Sequence, residues 1–433
     1  MRAMNVASTS KSDKGEDGED TRKKRRKGMS ENSSKIKFRD ILNRNLVLII
    51  IIQILSDCVN NMVGGYTNMA AKSAGIAVAA IGVAASVYSI AGMVVRMPAG
   101  ALADSHKKKL ALIGVLCLRM LTCMILSTFG MSGNVNFVIA RAIHGVGWSF
   151  VGIVLPAVVA MMMDKRAMGT TYAILSLVQQ FFKTYAKAIA VNVFQSFGAV
   201  GAGLACCGLS VLAIVFVMFL DFNDPRVLAA TPKKRGGKLA SLKVKYIPIC
   251  LILSLVVFGW QMHTQFDNVV AQERGIDIAA ILKMGALITP FTGFASAALC
   301  DIIDPKLVLC AQYVLLGAGN LIVGRATGFN LFAVGEIMTL IGIQYSRIIS
   351  IYLFKNCAET EKGAVHATNY LSTDFLSIIA GTILGALISG LGYEMSYTIT
   401  GISVLVSMAI VFVFGTKMIR SAADSSEQTE TAK

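Results

Sequence analysis

Long apolar runs separated by short polar breaks occupy the chain from residue 45 to residue 418. A helix of about 20 apolar residues matches the hydrocarbon core of a bilayer, so each run predicts one membrane-spanning helix. The alternation of apolar and polar residues that a membrane β-barrel requires is missing. We therefore predict an all-α integral membrane protein. The twelve predicted spans are 45–66, 80–101, 110–129, 135–160, 170–194, 199–220, 246–267, 279–299, 307–326, 331–354, 365–390 and 394–418.

Polar breaks divide the chain into five segments. The longest internal break carries a basic cluster and separates six apolar runs from six others. The predicted segments are a disordered tail, a six-helix bundle, a basic linker, a second six-helix bundle and a second tail. Their boundaries are 1–37, 38–220, 221–245, 246–418 and 419–433.

Short motifs recur at matching places in the two sets of six runs. The sequence GIAVAAI at 75–81 returns as GIDIAAI at 275–281. The charged break within 96–112 has a weaker copy at 298–309, with six identical residues at the same spacing. This pattern predicts two halves related as parallel repeats, an arrangement typical of transporters with a site between the halves. Further matches join the fourth and tenth runs: Phe137 with Phe332, and Arg141 with Glu336.

Composition agrees with a membrane protein. The chain is 55% hydrophobic and 15% charged, with a mean hydropathy of +0.64. Soluble domains are about 25% charged. The net charge of +16 does not indicate nucleic-acid binding, because the basic residues lie in the tail and in short loops between apolar runs.

The loop charges predict the topology. With the N-terminus in the cytoplasm, every inner loop is basic, as the positive-inside rule requires. We therefore expect a multi-pass protein of the cell membrane with both termini cytoplasmic. The basic stretch at 22–27 is expected either to contact anionic membrane lipids or to remain a solvated tail. The basic residues of the inner loops are Lys107, Lys108, Lys109, Lys165, Arg166, the cluster at 226–245, Lys306, Lys355 and Lys362, whereas the outer loops carry Lys72, Arg274 and Arg325.

The nine cysteines and four histidines form no CxxC pair and no metal-ligand spacing. No Ser/His/Asp arrangement is present either. We therefore expect no enzymatic activity, no cofactor and no metal, and we expect the protein to act as a monomer.

Three motifs resemble those of one transporter family. The sequence GALAD at 100–104, followed by Lys108 and Lys109, resembles the loop signature between helices two and three of the major facilitator superfamily. The sequence RAIHGVGW at 141–148 resembles the helix-four signature of the same family. The sequence RMP at 96–98 resembles the Arg-Pro motif that precedes the loop signature in bacterial efflux and permease-like members with twelve helices.

The resemblance covers about residues 40–420 and implies two six-helix bundles that rock around a central site. Ser105 and Lys107 depart from the loop signature, and the fifth span lacks the Gly/Pro-rich signature of drug–proton antiporters. Arg141 and Gly145 are expected to serve a structural or coupling role. The expected conformational gate consists of Arg96, Gly100, Asp104, Lys108, Lys109, Asp301 and Lys306.

Charged residues inside membrane spans usually face protein or a water-filled cavity. Asp57 shares a helical face with Gln53, Asn60 and Asn61, through the spacing i, i+4, i+7 and i+8. It is a candidate for binding a cation or a proton. The alternative is a polar pair with another helix, for example with Arg141.

Three lysines predict attraction for an anion. Lys183 and Lys187 are neighbours on one helical face, and Lys283 is expected at a similar depth. Like charges repel in the empty site, and a bound anion would relieve that repulsion. The alternative is that the lysine stems extend to the outer interface.

The remaining charged positions complete the candidate site. Arg347, beside Gln344, is expected to hold a carboxylate through its planar guanidinium. Asp374 is expected to pair with Arg96 across the halves. Arg119 is expected to be either a packing residue or a residue at the lipid edge. The cavity residues are Asp57, Asn60, Asn61, Lys183, Lys187, His263, Lys283, Gln344 and Arg347, and the proton-coupling candidates are Asp57, Glu336 and Asp374.

Together these features predict a secondary active transporter of a small organic solute, with an organic anion favoured. Proton coupling is one possibility. The alternatives are a multidrug or sugar efflux antiporter of the same fold, and a membrane sensor or scaffold that does not transport.

Overall fold

The computed structural model describes residues 44–103, 107–162, 168–222, 244–357 and 362–431. These residues form helices and short connections, and no strand occurs among them. Two 3-10 turns, Phe129–Ser132 and Val244–Tyr246, accompany the α-helices. The α-helices are α1 Arg44–Ser73, α2 Val78–Ala103, α3 Lys108–Ser127, α4 Asn134–Met162, α5 Met168–Met218, α6 Ile247–Ser254, α7 Val257–Glu273, α8 Ile278–Ile302, α9 Pro305–Arg325, α10 Phe329–Gly342, α11 Tyr345–Asn356 and α12 Lys362–Thr431.

Ten segments of the described chain are long and apolar enough to cross a membrane. The pairs α6–α7 and α10–α11 each count as one of these segments. The helices α5 and α12 contain 51 and 70 residues, more than twice what one crossing needs. If both cross twice, the total is consistent with the twelve predicted spans.

A glycine with positive φ reverses each long helix. Gly198 divides α5, with φ of 69°, and Gly392 divides α12, with φ of 76°. Glycine adopts this region readily because it has no Cβ. After the reversal, the second part of α5 returns to the start of α1, where Asn45 Nδ2 donates to the Asp221 carbonyl at 3.0 Å.

The helix ends therefore lie at two levels. We call one the basic end, because it contains Lys108, Lys306 and Lys355, and the other the short-loop end, because the connections 74–77 and 274–277 lie there. The predicted topology assigns the basic end to the cytoplasm, and this orientation stays a prediction.

Identical helix endings support the predicted duplication. At the end of α1, the Gly75 amide donates to the Lys72 carbonyl, and Ile76 donates to Ala71. At the end of α7, Gly275 and Ile276 make the same pair of bonds 200 residues later (275 − 75). The pattern is a Schellman ending with glycine at positive φ, so the repeated GI motif encodes the same turn in both halves.

Three apolar cores locate the contact between the halves. One core, near the short-loop end, joins residues of both halves, including Met62 of α1, Phe266 of α7 and Leu282 of α8. Toward the basic end each half has its own core, one around Val115 and the other around Tyr352. The halves are thus packed together at the short-loop end and have separate cores at the basic end.

Candidate binding site in the central cavity

A cavity of about 370 Å³ lies between the two halves, near the middle of the helices. Both halves line it, because α1, α2, α4 and α5 meet α7 and α10 there. Its polar and charged lining residues are Asn60, Asn61, Thr67, Asn68, Tyr88, Arg141, His144, Gln180, Lys183, Thr184, Lys187, His263, Thr264 and Gln265. Trp148 and Trp260 also line it.

A second cavity of about 260 Å³ lies within the first half. It shares Trp148 and Lys183 with the central cavity, and it is also lined by Gln53, Asp57 and Gln179. The predicted face of α1 is therefore polar along two adjoining cavities, with Asn60 and Asn61 in one and Asp57 in the other.

Asp57 forms an ion pair with Lys183. The Lys183 Nζ atom lies 3.6 Å from Asp57 Oδ2, and Gln53 Nε2 donates to the same oxygen at 3.2 Å. Asp57 is buried, and the lysine is one-third exposed. The charge of Lys183 is thus balanced inside the protein, and Arg141 is not the partner of Asp57.

Arg141 contacts the cavity without a carboxylate partner among the described residues. Its Nη2 donates to Gln265 Oε1 at 3.5 Å, and its guanidinium lies 4.9 Å from the centre of the Tyr88 ring. The Arg141 side chain is buried, and its Nε atom has no hydrogen-bond partner in the described part of the chain. A buried, uncompensated guanidinium favours a nearby anion.

Gly145 allows the approach that places Tyr88 over Arg141. A methyl group at Gly145 would lie 2.5 Å from the Tyr88 carbonyl oxygen, so only a residue without a side chain fits there. Sequence reasoning assigned Gly145 a structural role, and this contact gives that role a physical basis.

Lys187 is a second cation of the central cavity. It is half-buried one turn beyond Lys183, and no described carboxylate lies within 4.0 Å of its Nζ atom. Lys283 is exposed and lines neither cavity, because its neighbours Ile281 and Leu282 occupy the inner face of α8. The predicted group of three lysines is therefore corrected: Lys187 and Arg141 are the cavity cations without a partner, Lys183 is paired, and Lys283 lies elsewhere.

A buried charged cluster stands behind one wall of the cavity. His263 lines the cavity, and its Nδ1 atom lies 2.5 Å from Asp267 Oδ2 and 3.3 Å from Glu336 Oε2. Both carboxylates are fully buried, and the Tyr397 hydroxyl donates to Asp267. Glu336, a proton-coupling candidate, is thus joined to a cavity histidine.

Three other charged or polar candidates lie outside the two cavities. Gln344 is buried against Gly293 of α8, and Arg347 is exposed near the start of α11. Arg119 is fully buried, donating to Ser56 Oγ at 2.6 Å and facing Trp148 at 5.6 Å. Arg119 therefore packs inside the first half, which is the first of the two positions expected for it.

Arg96 and Asp374 join the halves along α2 and α12. Their side chains form an ion pair with two hydrogen bonds, one of them from Nη2 to Oδ1 at 2.9 Å. This is the contact that the sequence predicted between these positions. Gly82, Gly381 and Gly385 bring the same two helices into close backbone contact farther along.

The other predicted gate residues lie at the basic end. Lys109 Nζ donates to the Met218 carbonyl at 2.8 Å, and Lys306 Nζ donates to the Phe412 carbonyl at 3.3 Å. Each contact stays within one half, so these two lysines do not join the halves. Gly100 lies in α2, Lys108 is buried at the start of α3, Asp301 is exposed near the end of α8, and Asp104 lies outside the described residues.

Sequence reasoning did not assign to the cavity eight polar residues that line it, and it also missed Asp267 behind the cavity wall. The eight lining residues are Thr67, Asn68, Tyr88, His144, Gln180, Thr184, Thr264 and Gln265. Seven of them carry no formal charge, and His144 is a lone histidine in an apolar run, so each gives only a weak signal in the sequence. Asp267 was placed at the end of a span, whereas α7 continues to Glu273. The signal available for it was the spacing of four residues from His263 on one helix.

Comparisons with known proteins give one family and one fold. The family model described as Major Facilitator Superfamily matches residues 49–354. No curated protein is similar enough in sequence to serve as a relative.

Similar solved structures share the fold at low sequence identity. A POT family transporter in complex with a thioalcohol-conjugated peptide has a TM-score of 0.69 and 13% identity, over 87% of this chain and 96% of that one. The nucleoside transporter NupG has a TM-score of 0.66 and 14% identity, over 87% and 99%. The xylose transporter XylE from E. coli, in a partially occluded inward-open conformation, has a TM-score of 0.64 and 14% identity, over 86% and 98%.

Proposed function

Because the chain belongs to the Major Facilitator Superfamily, a family of membrane transporters, we propose that it is a secondary active transporter of a small organic anion. It is a multi-pass membrane protein and a transporter of small solutes rather than an enzyme. The proposal adds three features: the substrate is an anion, its transport is coupled to protons, and the structure is in an inward-open state.

One observation carries the choice of an anion. Arg141 and Lys187 line the same central cavity, and neither has a carboxylate within 4.0 Å among the described residues. Two positive charges in a cavity with low-dielectric walls create a positive potential that attracts anions. A carboxylate between them would satisfy the fork of Arg141 and the ammonium of Lys187 together.

The Asp57–Lys183 pair supplies a route for proton coupling. When Asp57 takes up a proton, the ammonium of Lys183 loses its partner at 3.6 Å and becomes a third cation facing the cavity. Anion binding is then stronger in the protonated protein. Proton and anion would therefore be bound together and released together, which is the linkage that symport needs.

Alternating access requires the halves to part at one end while they close at the other. The shared apolar core at the short-loop end and the separate cores at the basic end support a state that is closed at the first end and open at the second. With the basic end in the cytoplasm of a cell-membrane protein, this is the inward-open state.

The test measures exchange of anions by purified protein in proteoliposomes. A thermal-shift screen first compares organic acids with sugars, peptides and cationic drugs. The organic acids that stabilise the protein are then offered as substrates for counterflow. We expect Lys187→Ala to weaken the apparent affinity by roughly tenfold or more, because a hydrogen bond to a charged group contributes about 1.5–3 kcal/mol. Lys283→Ala, which removes an exposed lysine of α8, is the matched control and should behave as wild type.

Three outcomes reject the proposal. Stabilisation by cations alone, or efflux of lipophilic dyes from whole cells, would favour a drug exporter. Equal losses in Lys187→Ala and Lys283→Ala would remove the cavity site. The absence of both uptake and counterflow would favour a sensor or scaffold.

A further inference from the structure

His263, Asp267 and Glu336 bring three metal-ligating atoms together behind the cavity wall. One atom from each residue lies within 4.8 Å of the others, and all three side chains are buried. We propose that this cluster binds one divalent transition-metal ion. The proposal concerns a binding site in the second half and stands independently of the anion that the cavity accepts.

The distances from His263 to the two carboxylates are close to those that a small cation needs. An ion held about 2.0–2.2 Å from imidazole nitrogen and carboxylate oxygen brings its ligand atoms to roughly 3 Å from one another. His263 Nδ1 and Glu336 Oε2 are already 3.3 Å apart. His263 Nδ1 and Asp267 Oδ2 are 2.5 Å apart, so these two must separate by about half an ångström to share an ion.

Glu336 is the observation that points to a ligand. Its carboxylate is fully buried, Oε1 has no partner in the described part of the chain, and Oε2 has the 3.3 Å contact with His263 Nδ1. A buried carboxylate with so few partners is costly, and an ion coordinated to it removes much of that cost. Its ion pair with His263 uses the nitrogen that Asp267 also contacts, so one imidazole serves two carboxylates.

Charge balance supports a dication. With neutral imidazole and two ionised carboxylates, the three ligands carry two negative charges, which a divalent ion neutralises. With protonated His263 the cluster still carries one negative charge in a fully buried place. Lys187 lines the same cavity, and its positive charge partly offsets the negative charge of the cluster although it is not a member of it.

Tyr397 holds the cluster in place from outside. Its hydroxyl, on α12, donates to Asp267 Oδ1 and leaves Oδ2 facing His263. Hydrogen bonds of this kind orient metal-ligating carboxylates and contribute to metal affinity. Access is provided by His263, which is both a cluster member and a lining residue of the cavity.

The donor set selects the class of metal. One imidazole nitrogen with two carboxylates suits Mn²⁺, Fe²⁺, Co²⁺ and Zn²⁺, whereas Ca²⁺ and Mg²⁺ need more oxygen ligands. The sequence could indicate two of the three ligands, since His263 and Asp267 share one face of α7. Glu336 joins them only when α10 packs against α7, so the cluster could not be found from spacing.

The test uses the full-length protein in detergent, freed of metal by a chelator and titrated with Mn²⁺. Manganese is chosen because the nine cysteines of the chain are soft ligands that favour other ions. Binding is followed by the loss of the free Mn²⁺ signal in electron paramagnetic resonance, and by equilibrium dialysis with elemental analysis. We expect one ion per chain, and a roughly tenfold or greater loss of affinity in His263→Ala and in Glu336→Gln.

Two further variants keep the result interpretable. His366→Ala removes a partly buried histidine of α12 near the basic end, which contacts Phe354 and Tyr370, and should bind Mn²⁺ as wild type does. Tyr397→Phe keeps all three ligands and should weaken binding several-fold, even if a ligand variant fails to fold. A wild-type protein that takes up no stoichiometric ion, or equal binding in wild type, His263→Ala and Glu336→Gln, overturns the site. Because the readout is binding, failure of anion transport leaves this result unaffected.

Discussion

Asn68 of α1 and Asn268 of α7 make the same hydrogen bond in opposite directions across the boundary between the halves. Asn68 Nδ2 donates to the Gln265 carbonyl at 2.8 Å, and Asn268 Nδ2 donates to the Gly65 carbonyl at 2.6 Å. Each asparagine reaches the carbonyl three residues before its own counterpart in the other half. The duplicated sequence thus builds a two-fold clasp at the short-loop end.

A second pair of contacts repeats this symmetry one turn farther out. Lys72 pairs with Glu273 at 2.8 Å, and Gln272 donates to Ser73 Oγ at 2.8 Å. Positions 72 and 73 correspond to 272 and 273, so both directions are again present. These contacts lie between the shared apolar core and the short-loop end, and they must break for that end to open.

The first prediction concerns the clasp. Asn68→Ala or Asn268→Ala removes a hydrogen bond of about 1 kcal/mol and should shift the population toward the state open at the short-loop end by roughly fivefold. A cysteine placed by Thr67→Cys, a buried cavity position, should react faster with a membrane-impermeant thiol reagent added at that end. Asn136→Ala, at the same end, removes a bond to Ser132 within one half and serves as the control. Unchanged labelling in both clasp variants would show that these bonds do not limit opening.

The second prediction concerns the ion pair between α2 and α12. Arg96→Asp and Asp374→Arg should each impair transport, because each places like charges on the seam between the halves. The double exchange should recover a substantial part of the loss, as measured by uptake in proteoliposomes. The exposed pair Arg325–Glu394, at 3.7 Å, lies within the second half, and its exchange should change uptake little. A double variant as defective as the single variants would contradict a direct pairing.

The third prediction concerns Gly145. Gly145→Ala puts a methyl group against the Tyr88 carbonyl and should destabilise the protein by about 1–3 kcal/mol, because a packed interface cannot absorb it. It should also weaken anion binding, since Tyr88 lies over Arg141. Gly114→Ala, where no atom lies within 4 Å of the new methyl group, should leave the melting temperature unchanged or raise it. Thermal unfolding of the two variants in detergent compares them directly.

The sequence predicted the fold well because the hydrophobic effect, which places helices in the membrane, acts on residues that follow one another along the chain. Apolar length and loop charge are read directly along the chain, and the repeated GI motif encodes the same helix ending twice. The reversals at Gly198 and Gly392 fell at the gaps between predicted spans, where glycine was the local signal. The breaks at 255–256 and 343–344 were not predicted, because the apolar runs continue through them.

The site was predicted in part for a physical reason. Which side chains line a cavity depends on helix rotation, and a rotation of one residue moves a lysine from the cavity to the lipid. Lys187 and Lys283 illustrate this, since both lie in apolar runs and only Lys187 lines the cavity. Pairing depends on helix packing as well, which is why Lys183 was expected to attract an anion and is instead bound to Asp57.

The last prediction separates binding from coupling at that pair. Asp57→Asn keeps the size of the side chain and removes the negative charge that holds Lys183 at 3.6 Å. The freed ammonium should then face the cavity permanently, so the variant should bind the anion more tightly than wild type. It should also lose the dependence of anion accumulation on an imposed proton gradient, because the proton-accepting group is gone. Counterflow, which needs no net proton movement, should persist.

Lys183→Ala is the complementary change. It removes the cation that protonation would release, so proton-driven accumulation should fall while Asp57 remains. The paired measurements are counterflow and gradient-driven uptake in the same proteoliposomes. If Asp57→Asn retained wild-type gradient-driven accumulation, the proton would enter through another group, and Glu336, buried beside His263, would be the next carboxylate to test. Tighter binding in Asp57→Asn with coupling lost would instead assign to one ion pair both the attraction for the anion and its link to the proton.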